Sequence, residues 1–338
     1  MARAIFGRWP LSIAISALFL YWAVSGIAWP AVWNVVTTAR PAYLLLAALV
    51  GCGTYLLRAV RWRILLNAEA HFDLATVFWA NMAGYLGNNV LPARAGELIR
   101  SVLISSRSQL SKTYVLTTAL SERFMDVIAV VLWASIAILT IGATPPWMAS
   151  LSRVLVLGSV AAAVFIAVLP HVTWLPGVAA RLPLREPLRS FLQRILEQAL
   201  LGVRAFHNGR RLAEFAALTV VIWTCDAATA MIVARSIGVA LSFPVAVLLL
   251  TGLALGSALP STPGYIGIYQ FVAATVLPPF GIPREEALAF IVLSQALGYL
   301  VVIALGLPGW MWCNRTSEVR KPTLLPLSSI PSDPEVRS

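Results

Sequence analysis

An all-α, polytopic membrane helix bundle is the architecture this 338-residue chain implies, and three observations carry it. Hydrophobic residues make up 59% of the chain and charged residues only 12%, where soluble domains carry roughly 25% charge. Uncharged runs recur at 9–39, 41–57, 74–93, 127–152, 154–180, 236–283 and 287–314, with a shorter one at 215–225. A helix needs roughly 20 apolar residues to cross a bilayer. Two of the runs end or break at the same pattern, L-P-x-x-x-G, at residues 91–96 and 259–264. Those two stretches predict broken or re-entrant hairpins within the bundle.

The elements follow in order when basic clusters are taken as cytoplasmic. Arg3 and Arg8 precede an apolar run that predicts an uncleaved first helix at about 11–29, leaving the cytoplasm. A second helix at about 41–58 returns to the loop carrying Arg58, Arg61 and Arg63. The arm at 74–91 is apolar enough to enter the bilayer. The arm after it carries Arg94, Glu97, Arg100 and Arg107 and must lie in protein, since a charge at the membrane centre costs about 2.5–3.5 kcal/mol. Helices at about 114–141 and 151–169 flank the Pro145-Pro146 turn. At about 187–205, apolar residues at helical spacing oppose Arg189, Arg194 and Glu197, which predicts an amphipathic cytoplasmic helix. A helix at about 212–236, a hairpin at 243–280 and a last helix at about 285–309 complete a single membrane domain, 1–314. The Pro/Ser-rich residues 315–338 read as a disordered tail, with both termini cytoplasmic and the plasma membrane as location.

The two hairpins suggest an internal repeat. Leu91 and Leu259 begin the matching motifs 168 residues apart, and Leu120-Ser121-Glu122 is echoed 173 residues on by Leu293-Ser294-Gln295. Repeat A (about 41–141) begins on a helix going in and repeat B (about 212–309) on one going out, so the repeat is inverted. Inverted repeats with broken helices are an architecture of secondary transporters. Non-helical backbone at membrane depth is tolerated where it is buried in protein or lines a wet cavity. Pro92, Gly96, Pro260, Pro263 and Gly264 are therefore structural breaks. The half-helices after Pro92 and Pro263 are expected to aim free N–H groups into a cavity, which suits a phosphate.

Composition excludes other classes. Lys+Arg 25 against Asp+Glu 14 gives a net charge of +11, which in a membrane chain reads as cytoplasmic loops on anionic lipid rather than nucleic-acid binding. Cys52, Cys225 and Cys313 are too dispersed for disulfides or zinc, and His71, His171 and His207 are equally scattered. No HExxH, CxxC or GxxxxGK[ST] occurs, so no metal, cofactor or nucleotide-driven step is expected. The twelve tryptophans read as belt and packing residues.

Candidate headgroup-binding residues cluster at the breaks: Asn88, Asn89, Arg94, Glu97 and Arg100 on one side, and Ser261, Thr262, Tyr265, Tyr269 and Gln270 on the other. Arg94 and Arg100 could grip a phosphate, steadied by Glu97, or form an interfacial arm of self-paired charges. Glu122 and Asp126 share a helix face, and Arg123 can reach Asp126 at i+3. That trio belongs either to the cavity or to the cytoplasmic interface. Asp226 is an intramembrane carboxylate, hence a functional candidate, either proton-coupled or paired with Arg235; that pairing would have to bridge more than two helical turns.

With these residues placed, the chain resembles the lysylphosphatidylglycerol synthase transmembrane region, also called the flippase-like or UPF0104 family. The matching pieces are Arg58-Ala-Val-Arg-Trp-Arg63, Gly87-Asn-Asn-Val-Leu-Pro-Ala-Arg-Ala-Gly-Glu-Leu-Ile-Arg100, Ser121-Glu-Arg-Phe-Met-Asp126 and Leu259-Pro-Ser-Thr-Pro-Gly-Tyr-Ile-Gly-Ile-Tyr-Gln270, spread over about 40–310. The resemblance implies a lipid-translocating membrane domain, here without room for the fused soluble aminoacylating domain. Gln270 stands where the family pattern carries a glutamate, which implies a headgroup other than lysyl-phosphatidylglycerol. The expected function is a flippase or scramblase for an anionic, aminoacylated or polyprenyl-linked lipid, with membrane lipids as partners and no chemistry of its own. The alternatives are a lipid-modifying enzyme, with Glu97 or Glu122/Asp126 as general base, and an accessory subunit of a separately encoded lipid synthase. No nucleophile–base–orienter set is visible for the enzyme reading.

Overall fold

The computed structural model describes residues 9–91, 95–141, 208–257, 259 and 262–315, with a few isolated positions between 150 and 206. Of the helix expected at 151–169, residues 153–154, 156–161 and 164 are described and helical; the one expected at 187–205, apart from residues 193 and 200, and the tail lie outside the described residues, as do Pro92, Arg94, Pro260 and Ser261. Every regular element among the described residues is helical. In chain order these are α1 (Trp9–Val24), α2 (Trp29–Thr37), α3 (Pro41–Leu66), α4 (Leu74–Val90), α5 (Gly96–Ser105), α6 (Lys112–Thr140), α7 (Gly209–Ser236), α8 (Phe243–Gly256), α9 (Ile268–Val276) and α10 (Arg284–Arg315).

Four of them, α3, α6, α7 and α10, are long and apolar enough to cross a membrane, so the protein is a multi-pass membrane protein. The single pass expected at 11–29 is instead a bent pair, α1 and α2, turned by 87°. Gly26 takes φ +76 at the corner and Pro30 restarts the helix in its first turn, so neither helix can run through. The second helix, expected to stop near residue 58, continues to Leu66. Arg58, Arg61 and Arg63 are thus helical residues and not a cytoplasmic loop. Arg63 Nε donates to the Phe72 carbonyl at 2.7 Å, and Arg61 is fully buried.

Helix starts follow local chemistry. Asp73 accepts from the Thr76 backbone N–H at 2.9 Å and from its hydroxyl at 2.6 Å, capping α4. Ser111 caps α6 through Tyr114 N–H, and Asn208 caps α7 through Arg210 and Arg211 N–H. Prolines open α2, α3 and α8.

Two hairpins, α4–α5 and α8–α9, sit between the long helices. At about 1.5 Å per residue none of their four arms crosses a hydrocarbon core of roughly 30 Å. Missing side chains let the arms close. A Cβ at Gly87 would lie 2.6 Å from Ile99 Cδ1, and one at Gly96 would strike the Gly84 carbonyl and Asn88. On the other hairpin, a Cβ at Gly252 would lie 2.7 Å from Val272 Cγ1. Close backbone approach at small residues is how helices gain contact within a membrane, where water expulsion contributes little.

The packing between halves is reciprocal. Hairpin arm α4 lies on α10 and arm α8 lies on α6, while α3 packs along α7. Helices α3 and α7 run antiparallel: Arg40 N–H donates to the Ser236 carbonyl at 2.9 Å, Arg61 meets Thr219 at 3.0 Å, and Leu65 clusters with Phe215.

Candidate functional site

Three arginines and three carboxylates form a closed ring of alternating charge where α3, α5 and α6 meet. Arg61 comes from α3, Glu97 and Arg100 from the first turns of α5, and Glu122, Arg123 and Asp126 from α6. Around the ring, Arg61 meets Glu122 at 2.9 Å, Glu122 meets Arg100 at 2.9 Å, Arg100 meets Glu97 at 2.5 Å and Glu97 meets Arg123 at 2.8 Å. Arg123 then reaches Asp126 at 3.8 Å, and Asp126 returns to Arg61 at 2.6 Å. The i, i+4 spacing of Glu122 and Asp126 is what lets one guanidinium hold both.

Arg61 uses all five of its N–H donors. Nη1 donates to Asp126 Oδ1 and Thr219 Oγ1, Nη2 to Asp126 Oδ2 and Glu122 Oε1, and Nε to Glu122 Oε1. Its guanidinium lies 4.9 Å from the Phe215 ring centroid, and Arg100 lies 4.5 Å from that of Trp62. Arg100 Nη1 also donates to Asn81 Oδ1 at 2.8 Å. The ring carries no net charge, and Arg61, Arg100 and Glu122 are out of solvent. Arg123, with 27% of its side chain exposed, is the ring member that opens furthest outward.

It opens onto a partly open cavity of about 460 Å³ between the halves. From α3 to α6, the side chains of Tyr55, Arg58, Tyr85, Asn88, Glu97, Arg123 and Asp126 line it together with those of Asp226, Ser257, Tyr265, Tyr269, Gln295 and Tyr299 from α7 onward. Five of the eight tyrosines line it, so the wall is aromatic and hydroxyl-rich, with Leu249, Leu250 and Leu253 forming an apolar stretch. Tyr265 and Tyr269 stack at 5.1 Å with planes 11° apart. Trp223 Nε1 and Ser294 Oγ, both on this wall, have no hydrogen-bond partner among the described residues.

A second ion pair crosses the cavity wall from α3 to α7, joining Arg58 Nη2 and Asp226 Oδ2. This identifies the partner of Asp226 as Arg58 and not Arg235. Neither is a residue that composition or helical spacing connects. The available signal is arithmetic: the two are 168 residues apart, the same separation as the two L-P-x-x-x-G motifs.

The structure thus brings Asn88, Asn89, Glu97, Arg123, Asp126, Tyr265 and Tyr269 to one cavity. Arg100, Glu122, Thr262 and Gln270 do not line it. Arg100 and Glu122 are held behind the wall by the ring; Thr262 N–H is taken by Ser16 Oγ at 2.9 Å. The expectation of free helix N-termini aimed at a phosphate is also corrected. Asn88 Oδ1 accepts the Gly96 N–H at 2.9 Å, Gln270 Oε1 accepts the Gly267 N–H at 2.8 Å, and Glu97 already sits in the first turn of α5. Arg107, just after that arm, does lie in protein: its Nη2 donates to the Cys313 carbonyl at 2.5 Å, with the guanidinium over Trp312. Beyond Gly264, at φ +73, the second break is pinned by Tyr299 Oη and Gln295 Nε2, both donating to the Gly264 carbonyl, at 2.5 and 3.0 Å. No group of metal-ligating side chains occurs among the described residues.

Paired short-armed hairpins around a cavity with a mainly apolar wall and a charged, hydroxyl-bearing stretch define a multi-pass membrane protein of the broken-helix kind. The chain belongs to the family described as the lysylphosphatidylglycerol synthase TM region, whose model matches residues 9–306. It is similar to glycosyltransferase AglD of Haloferax volcanii, 25% identical over 317 residues, which is 83% of this chain and 50% of that protein. It thus spans about half the length of that relative. It is also similar to the UPF0104 membrane protein PH1989 of Pyrococcus horikoshii, 24% identical over 330 residues, 88% of this chain and 93% of that one.

Proposed function

We propose that this protein moves a lipid headgroup between the leaflets of the plasma membrane, as a flippase or scramblase, with both termini cytoplasmic. The observation that carries the reading is the cavity walled jointly by the two hairpins and their long helices. Its volume lies in the range of roughly 300–1,000 Å³ typical of small-molecule sites. Its Trp223 and Ser294 groups, without a partner among the described residues, suit a polar occupant. The reciprocal packing of α4 on α10 and α8 on α6, and the antiparallel course of α3 and α7, support two halves related by an in-plane two-fold. The headgroup passes along the polar wall while the acyl chains stay in lipid, and no covalent chemistry is asked of the chain.

Glycines on the wall supply the test. Gly298 on α10 and Gly51 on α3 both line the cavity and have open space where a Cβ would stand; Gly53 has the same space but lies outside the cavity. In vesicles holding fluorescent phosphatidylglycerol, Gly298→Trp and Gly51→Trp are expected to slow leaflet exchange at least tenfold, with Gly53→Trp unchanged. Equal rates in all three variants, or in protein-free vesicles, refute translocation through this cavity. The second reading is an accessory subunit for a separately encoded lipid synthase, favoured by similarity to half of a protein named a glycosyltransferase. A synthase that co-purifies, together with a purified chain inactive in vesicles, would select it.

A further inference from the structure

The Arg58–Asp226 pair differs from the ring in three ways. Among the described residues Arg58 has one acidic partner, whereas Arg61, Arg100 and Arg123 each have two. Both members look into the cavity, with 14% and 21% of their side chains exposed, where Arg61 and Glu122 show 0% and 1%. Lastly, each is the eighteenth residue of its helix, Pro41 being the first of α3 and Gly209 the first of α7. Because those helices are antiparallel, only one position can meet its own counterpart, and this pair occupies it. If the halves are related by a two-fold in the membrane plane, the pair lies on that axis. A group on the axis keeps the same surroundings whichever half has tilted, which is the requirement for a site loaded from both sides.

We infer that Arg58–Asp226 is an exchangeable phosphate site, in which a monoanionic phosphodiester headgroup replaces the Asp226 carboxylate on Arg58 and Asp226 takes up one proton from water. This rests on the translocation reading and names its substrate class and a proton as co-substrate. The charge count closes. Before binding, Arg58 and Asp226 sum to zero; afterwards the guanidinium faces the phosphodiester and the aspartic acid is neutral. Two anions on one guanidinium would repel, and protonation removes that repulsion. The ring cannot make the same exchange, because each of its carboxylates bridges two arginines. Arg123 remains beside the site as a second guanidinium, and Tyr265 and Tyr269 present a flat face and hydroxyls to a headgroup bearing hydroxyls of its own. The titratable groups facing the pair or lining the cavity around it are Tyr55 and Arg61 on α3, Tyr85 on α4, Glu97 on α5, Arg123 and Asp126 on α6, Tyr265 and Tyr269 on the second hairpin and Tyr299 on α10; the α8 wall offers none.

The test uses the full chain in non-ionic micelles, dihexanoyl phosphatidylglycerol as probe and a pH-indicator dye in weak buffer. Expected is uptake of about one proton per lipid bound, and affinity rising about tenfold for each unit the pH is lowered while Asp226 is ionised in the free protein. Asp226→Asn should bind at neutral pH without proton uptake and without that slope; Arg58→Gln should lose binding. Inorganic phosphate should compete at least a hundredfold more weakly, and equal competition would make this a free-anion site and overturn the proposal. So would wild-type binding without proton uptake, or a slope that Asp226→Asn retains. Nothing can be flipped in a micelle, so the two readings fail separately. Proton-linked binding without exchange in vesicles removes translocation; exchange in vesicles without proton-linked binding removes this inference.

Discussion

Removing Arg61 tests whether the charge ring is a structural brace. In Arg61→Met, five hydrogen bonds disappear and three carboxylates face two arginines. Asp126 keeps only Arg123 at 3.8 Å, and Glu122 keeps Arg100 at 2.9 Å through its other oxygen. Breaking a buried pair from one side costs about 3–5 kcal/mol, because it strands a charge in low dielectric. Arg61→Lys keeps the charge but has three donors where the guanidinium makes five bonds to four acceptor atoms, so at least two charged bonds are lost at about 1.5–3 kcal/mol each, about 3 kcal/mol as a minimum. Arg61→Met with Asp126→Asn makes the ring neutral again and should recover about 1–2 kcal/mol of the single-variant loss, a non-additivity in the range seen for neighbours in one network. The assay is reversible denaturant titration in mixed micelles followed by tryptophan emission. An Arg61→Met protein within 1 kcal/mol of the parent, or strict additivity in the double variant, would refute the brace.

Two smaller perturbations probe the ends of the hairpins. Gln270→Glu places a buried carboxylate beside Gln295, with Ala273 one turn on, where α5 carries Arg100; a loss of about 1–3 kcal/mol at pH 8 is expected. The loss should shrink on acidification, since the neutral acid can donate to Gln295, and equal stability at pH 8 would sink the reading. Asp73→Ala removes the α4 cap and should cost about 1 kcal/mol. Partial burial pushes the Asp73 carboxyl up, but the Thr76 hydroxyl and N–H more than reverse this and hold it below the ordinary value. The cap's contribution is therefore full above the ordinary carboxylate pKa and fades as pH falls through the lowered one. Melting curves from pH 3 to 7 should converge with those of Asp73→Ala at the acid end.

The long rods were legible because uncharged runs mark what a bilayer accepts, and the glycine- and proline-bearing breaks were legible because neither residue continues a helix. The run ends were less informative. A basic residue closes an uncharged run, so α3 read as ending at Arg58, although Arg61 is paid for by acids from α6 and a hydroxyl from α7 and the helix continues to Leu66. Local spacing revealed that Glu122 and Asp126 share a face, but which guanidinium they share depends on how α3 docks. The same holds for Asp226, whose partner lies on another helix 168 residues away.

Comparing the two halves separates support from recognition. Counted 173 residues on, Glu97 corresponds to Gln270 and Glu122 to Gln295, and those amides bond each other at 2.5 Å, joining α9 to α10 as the ring joins α5 to α6. One hairpin is tied to its following helix by charge and the other by neutral amides, so the tie itself does not require charge. What charge adds in the first half is a guanidinium, Arg123, fixed at the cavity wall by two carboxylates and therefore unable to follow a ligand. The mobile cation must come from elsewhere. Arg58, with one acidic partner among the described residues and facing the cavity where the two halves meet, is the residue whose partner a passing phosphate can replace.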